Sequence, residues 1–254
     1  NIQMEEGWQQ YYDQSRTDRR QLNELAAKAR NGELSPEEHE KLAMLTERFL
    51  GTEAAEPIYQ TLSAQPSAPV SAVFALGRIL IDRDDKSGLS LIEAAIAQDD
   101  RMSMEGLRLV FLHLMRTGDV GAAEEYRRRL GAQREIEERA AEERGPPHRR
   151  DEFEDHGLSQ LQLDSVLERL RPFHLLRRAY LVRKRVQSLP LRPYHVLVLE
   201  STVPARSMDY SLSSFVAEEI QLPADGYVVH VTWRTRWLRR RFKRIPSALI
   251  LDRG

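Results

Sequence analysis

His39 and Glu40 begin a pattern that zinc enzymes continue with a second histidine one helical turn later. In that pattern two imidazoles face one ion and the glutamate activates a water molecule. Ala43 occupies the position of the second histidine, so the pattern is incomplete. The other histidines have no ligand spacing to one another: His113, His148, His156, His174, His195 and His230. We therefore predict no metal site.

Other patterns that carry chemistry are missing as well. The sequence has no Gly-Lys-Ser/Thr phosphate loop and no serine framed by glycines as in a nucleophile elbow. It contains no cysteine, which excludes disulfides, thiolate zinc sites and cysteine nucleophiles. Adjacent carboxylates, such as Asp84 with Asp85, are expected at solvated helix ends and turns. We predict no catalytic residue, no cofactor and no small-molecule substrate, so that the chain by itself is not an enzyme.

A basic cluster near the C-terminus is the strongest candidate binding feature. Its members are Arg234, Arg236, Arg239, Arg240, Arg241, Lys243 and Arg244. Interleaved Trp233, Trp237 and Phe242 give it the composition of a surface that meets nucleic acid or an anionic membrane. Helical spacing predicts that Trp237 and Phe242 face a core, with the arginines outside. A solvated face, or one that neutralises the acidic part of the chain, is the simplest interpretation. Among anionic partners, a membrane surface is expected before nucleic acid.

The distribution of charge divides the chain into two parts. Residues 1–150 hold 21 Lys and Arg against 27 Asp and Glu, whereas residues 151–254 hold 17 against 12. Such asymmetry is typical of two modules with different surroundings. We predict a helical domain over residues 1–132, a charged helical tail and linker over 133–157, and a small α/β domain over 158–254.

Helix signals dominate the first part. A long polar helix is expected over residues 4–31, with Gly32 at its C-terminal end. Ser35-Pro36-Glu37-Glu38 predicts the start of the next helix, because serine caps the helix, proline fits its first turn and Glu38 closes a capping box.

The chain then repeats itself. Ala54, Ile58, Thr61 and Pro66 have a spacing that returns 34 residues later as Gly88, Ile92, Ala95 and Asp100, and in part with Ala123 and Leu130. A small residue lets two antiparallel helices cross closely, and the positions four and seven residues on share its helix face. This spacing resembles the second helix of the tetratricopeptide repeat, with Leu76-Gly77 at the place of that family's first-helix Leu-Gly pair. The resemblance covers residues 36–131 and implies an array of helix pairs with a peptide-binding groove.

The second part changes period. An amphipathic helix is expected over residues 158–170, and another over 211–220. Short apolar runs predict four strands, over residues 179–182, 194–199, 227–233 and 248–251, with a basic helix over residues 236–244. Helices interleaved with strands predict a mixed sheet covered by helices. The expected class is therefore α+β.

A second resemblance rests on residues 178–184 and 191–199, together with the repeat-like stretch over residues 75–130. They are similar to the soluble tail of bacterial membrane-embedded zinc metallopeptidases of the CAAX-protease and heat-shock-peptidase superfamily. That resemblance implies a tail without its catalytic domain, cytoplasmic and tied to the membrane through a missing upstream domain. None of that family's zinc ligands has a matching position here.

Three functions follow as hypotheses. The first is a non-catalytic scaffold that binds a protein or peptide through the repeat groove. The second is an accessory or regulatory region that recruits substrates to a membrane-bound metallopeptidase. The third is nucleic-acid binding by the basic cluster. Candidate partner-binding residues in the groove are Ser71, Arg78, Arg108 and Arg116.

Overall fold

The chain forms two compact units in the computed structural model, Asn1–Arg134 and Glu135–Gly254. The structure describes residues 2–202, 220 and 222–254. Nine α-helices and five strands within these residues give the expected α+β fold, with helices first and a mixed sheet after them. The helix expected over residues 211–220 lies, apart from Ile220, outside the described residues.

Helices make up the first unit. They are α1 (Ile2–Asn31), α2 (Pro36–Leu50), α3 (Thr52–Ser63), α4 (Val70–Asp82), α5 (Ser87–Gln98), α6 (Ser103–Thr117) and α7 (Val120–Glu143), the last of which extends into the second unit. A short 3-10 helix, Asp100–Met102, precedes α6. Gly32 and Gly118 adopt the positive φ that ends α1 and α6.

The start of α2 is the capping box that the sequence predicts. The Ser35 hydroxyl accepts a hydrogen bond from the Glu38 amide at 3.2 Å, and the Glu38 carboxylate accepts one from the Ser35 amide at 3.0 Å. Two amide groups that the helix itself leaves unpaired are thereby satisfied.

Replacing Ser35 by alanine is expected to lower the free energy of unfolding by about 1 kcal/mol, because the Glu38 amide loses its acceptor. Chemical denaturation measures the loss. Ser67→Ala is the control, since Ser67 is exposed and its hydroxyl makes no hydrogen bond to any residue that the structure describes. Equal stability of the Ser35→Ala and Ser67→Ala proteins would show that the cap contributes nothing.

Gly77 and Gly88 bring α4 and α5 into backbone contact, as the small-residue pattern predicts. A Cβ atom added to Gly88 would lie 2.5 Å from the Gly77 carbonyl oxygen and 2.9 Å from the Ile81 amide nitrogen. Ile92 and Ala95, four and seven residues after Gly88, are fully buried. The second repeat therefore has the expected packing face.

In α3 the packed face is shifted by one residue from the expected one. Ala55, Tyr59 and Leu62 are buried, whereas Ala54 and Thr61 are exposed. Adjacent stripes on a helix satisfy the same spacing, so the neighbouring helices decide between them. Tyr59 fits the gap because its hydroxyl donates to a Glu47 carboxylate oxygen on α2 at 2.9 Å. In the third copy, Ala123 is buried and Leu130 half-buried.

The second unit is built on five strands and two helices of its own. These elements are β1 (Phe153–Glu154), α8 (Gln160–Leu170), β2 (Leu176–Lys184), β3 (Tyr194–Ser201), β4 (Gly226–His230), α9 (Arg236–Phe242) and β5 (Leu249–Asp252). The central pair β2–β3 is antiparallel, and β4 runs parallel to β3. β1 and β5 both pair antiparallel with β2. β1 pairs with the C-terminal end of β2, and β5 pairs with its N-terminal part.

Helices cover both faces of this sheet. On one face Leu181 and Leu197 pack with Val166 and Leu170 of α8. On the other face Val182 and Val196 pack with Leu238 and Phe242 of α9. Burial on both faces explains why the middle parts of β2 and β3, residues 179–182 and 196–199, are continuous apolar runs rather than alternating ones.

The region expected to be a tail and linker is part of the second unit. Phe153 and Glu154 form β1, which was not expected. The Arg144 guanidinium donates to the carbonyl oxygens of Ser188, Leu189 and Arg192, in the connection between β2 and β3. Charged residues in this region are thus partners of the sheet, which their low apolar content concealed.

Candidate functional site

Three of the four candidate partner-binding residues make contacts inside the helical array. The Ser71 hydroxyl donates to the Glu40 carboxylate, which ties α4 to α2. The Arg78 guanidinium forms an ion pair with Glu47, also on α2. Both side chains thus join α4 to α2, and their polar groups are engaged in contacts within the first unit.

Arg116 anchors the end of α6 to the turn between α4 and α5. Its guanidinium lies 2.7 Å from an Asp84 carboxylate oxygen and donates to the Ile81 carbonyl oxygen at 2.7 Å. A matching link joins the second helices, where the Arg129 guanidinium lies 2.8 Å from Glu93. The hydrogen bonds from Arg129 hold the pKa of the Glu93 carboxyl below its usual value. Ion pairs therefore connect successive helix pairs, joining α4 to α2, α6 to the turn after α4, and α7 to α5.

Arg108, the fourth candidate, is exposed and has no ion pair or hydrogen bond to its guanidinium among the described residues. Leu112 and Met115 follow at positions four and seven residues later, on the same face of α6. Leu112 is 47% exposed and Met115 51% exposed. We call Arg108, Leu112 and Met115 the α6 stripe. It is an apolar strip beside one cation, which has no acceptor among the described residues.

The basic cluster separates into residues with internal roles and residues that face solvent. The Arg239 guanidinium donates to Glu200 of β3 at 2.6 Å and fixes α9 to the sheet. The Arg241 guanidinium donates to the Arg149 carbonyl oxygen at 2.8 Å and lies over the Phe153 ring. The remaining members are exposed: Arg234, Arg236, Arg240, Lys243 and Arg244. Two of the seven cluster members thus have internal roles, and the other five face solvent.

Four arginines and two tryptophans surround a surface pocket of about 450 Å³ in the second unit. Its lining consists of Arg149, Trp233, Arg234, Arg236, Trp237 and Arg240. We call it the arginine–tryptophan pocket. The core-facing side chains Leu238 and Phe242 hold α9 against the sheet, so that the opposite side of the helix presents Arg236 and Arg240.

Aromatic rings hold two of these guanidinium groups in place. The Arg234 guanidinium carbon lies 5.0 Å from the centre of the Trp233 ring, and that of Arg149 lies 6.0 Å from the centre of the Trp237 ring. Both distances are in the range of cation–π attraction. Trp237 is half-buried against the core, as expected, whereas Trp233 is 75% exposed.

Arg149 is the pocket residue that sequence reasoning missed. It precedes β1 in the charged segment expected to be linker, 85 positions before Arg234 in the sequence. Nothing in its neighbourhood marks it, because charged residues without period are typical of solvated segments. The pairing of β1 with β2 and the hydrogen bond from Arg241 bring it to α9.

Within the part of the chain that the structure describes, no three His, Asp or Glu side chains converge as metal ligands would. None of the described helices combines the length and the apolar character needed to cross a bilayer. Comparisons of the chain with protein-family models, with characterised proteins and with solved structures find no match. The two family resemblances therefore remain predictions. The α6 stripe and the arginine–tryptophan pocket are the two candidate sites.

Proposed function

We propose that this protein is a non-catalytic scaffold that binds another polypeptide through the α6 stripe. The observation that supports the proposal is the contrast along the array. On α4 the two polar candidates, Ser71 and Arg78, contact α2. By contrast, α6 presents to solvent two large apolar side chains and a cation that has no ion pair within the described parts of the chain. Large apolar side chains grouped on one exposed helix face are typical of an interaction site.

The stripe defines the kind of partner. Side chains at 108, 112 and 115 have helical spacing, so an amphipathic helix lying along α6 covers all three at once. Leu112 and Met115 are half-exposed, and completing their burial contributes about 1 kcal/mol each. A carboxylate on the partner placed beside Arg108 fixes orientation more than it adds affinity. Methionine suits such a surface because its side chain adapts to several shapes.

Reversing the polarity of the stripe is the test. In the source cells, tagged wild-type protein and a Leu112→Glu/Met115→Glu variant are purified with their bound proteins, which are quantified by mass spectrometry. The proposal expects one or a few proteins to be reduced by about 30-fold in the variant, the size expected for central interface residues. Isolated peptides from those proteins should then bind wild-type protein and not the variant.

Met44→Glu/Leu50→Glu is the matched control. It changes the same two residue types, in the same unit, at side chains that are 57% and 66% exposed. The scaffold proposal is wrong for this face if both double variants lose the same proteins to the same extent, or if the stripe variant loses none. A captured membrane-bound zinc peptidase would identify the accessory role that the second resemblance implies.

A further inference from the structure

The arginine–tryptophan pocket concentrates positive charge that no carboxylate among the described residues balances. No carboxylate lines it, and the guanidinium groups of Arg149, Arg234, Arg236 and Arg240 have no ion pair or hydrogen-bond acceptor among the described residues. Other arginines of the second unit do have acceptors, as Arg239 has Glu200 and Arg183 has Glu154. Guanidinium groups crowded in this way repel one another, and a bound anion removes that repulsion.

The side chains around the pocket select the chemistry of the anion. Planar guanidinium groups bind phosphate oxygens through two parallel hydrogen bonds, and four of them match a doubly charged group better than a single carboxylate. Trp233, 75% exposed at the rim, offers an apolar ring face beside the cations. We propose that this pocket binds an organic phosphate, with its phosphate oxygens between the guanidinium groups and its organic part against the Trp233 ring.

The pocket is formed before any ligand arrives. Arg149 is placed by the hydrogen bond from Arg241 to its carbonyl oxygen and by the Trp237 ring beneath its side chain. α9 is fixed to β3 by the ion pair between Arg239 and Glu200. The backbone around the pocket is thus fixed without a ligand, and the conformational entropy lost on binding is mainly that of the arginine side chains.

A nucleic-acid strand fits the pocket less well than a single phosphate-bearing molecule. Proteins that bind single strands use several aromatic rings in succession along a charged groove. Here the structure presents one exposed indole, since Trp237 is half-buried and covered by Arg149. The space of about 450 Å³ is the size of a site for one ligand.

Isothermal titration calorimetry on the full chain tests the proposal, with inorganic pyrophosphate and ADP as soluble probes. Co-sedimentation with phosphatidylcholine vesicles, with and without phosphatidylglycerol, tests a lipid headgroup as the source of the phosphate. Arg236→Ala/Arg240→Ala should weaken binding of the effective probe by at least about tenfold, through lost charged hydrogen bonds. Trp233→Ala should weaken ADP binding several-fold and leave pyrophosphate binding within about twofold.

Lys243→Ala/Arg244→Ala is the matched control, because it removes the same two charges from exposed residues that do not line the pocket. It should change affinity by less than about threefold. All four side chains are exposed, so both double variants should keep the wild-type melting temperature. Binding of ADP or pyrophosphate alone identifies a soluble ligand, and binding of phosphatidylglycerol vesicles alone identifies a headgroup; both support the proposal.

Three results would overturn it. The first is the absence of binding to every probe at millimolar concentration. The second is an equal loss of affinity in the two double variants, which would mean that net charge acts without a site. The third is affinity for single-stranded DNA that increases steadily with strand length, which would mean a strand tracked by scattered cations. None of these results bears on the α6 stripe, which lies in the other unit.

Discussion

Replacing Gly88 by alanine is expected to lower the free energy of unfolding by about 2 kcal/mol, although alanine favours helix formation more than glycine does. The added Cβ would lie 2.5 Å from the Gly77 carbonyl oxygen and 2.9 Å from the Ile81 amide nitrogen. Both atoms belong to the backbone, so α4 and α5 have to move apart and their shared core loses contact. Valine at the same position should have a larger effect. Chemical denaturation followed by circular dichroism measures the loss.

Gly131→Ala is the control for this prediction, because it makes the same chemical change inside α7. A Cβ atom at Gly131 would meet no atom within 4 Å, so helix propensity acts alone. The expected result is stabilisation by about 0.5–1 kcal/mol. If Gly88→Ala also stabilised the protein, the close helix crossing would be contradicted.

Replacing Asp151 by alanine is expected to cost about 3 kcal/mol, the largest effect of a single lost charge in the second unit. The Lys184 ammonium lies 2.8 Å from the Asp151 carboxylate, and the Lys184 side chain is only 5% exposed. Without the carboxylate, a positive charge is left buried at the end of β2. Asp151 also accepts a hydrogen bond from the His148 amide at 2.6 Å, and alanine removes that contact as well.

Glu152→Ala removes the neighbouring carboxylate and serves as the matched control. Glu152 pairs with Arg185 at 2.8 Å, but both side chains are more than 60% exposed, so a loss below about 1 kcal/mol is expected. Asp151→Asn separates the two roles of Asp151, since the amide oxygen still accepts from His148 while the charge is gone. Thermal denaturation of the three variants would contradict the buried-pair account if Asp151→Asn were as stable as wild type.

Features with a short-range cause could be predicted from the sequence. Ser35, Pro36 and Glu38 specify the start of α2 through hydrogen bonds within four residues. The small residue Gly88 and the apolar positions after it specify which face of α5 packs. The β2 and β3 runs could be predicted as strands because their β-branched and aromatic residues form continuous segments.

Predictions failed where contacts between residues distant in the sequence determine the local structure. In α3 two adjacent stripes were compatible with the spacing, and the contact of Tyr59 with Glu47 on α2 selected one of them. Phe153 and Glu154 carry too few residues to be a strand by pattern, and they are one only because β2 offers its edge. Among the four candidate groove residues, Arg108 alone has no internal acceptor in the part of the chain that the structure describes, which no spacing rule anticipates.

The sequence by itself determined the α+β fold class, the helical first part and the basic α9, because periodicity and capping act over a few residues. The tertiary structure alone decided which cations are free. Arg239 and Arg240 are adjacent and chemically identical, yet one donates to Glu200 in the core and the other faces the pocket. Arg149 joins that pocket from a distant segment. Electrostatic interactions act through space. The neighbours of each guanidinium group, and with them the pocket, therefore depend on the tertiary structure and not on the local sequence.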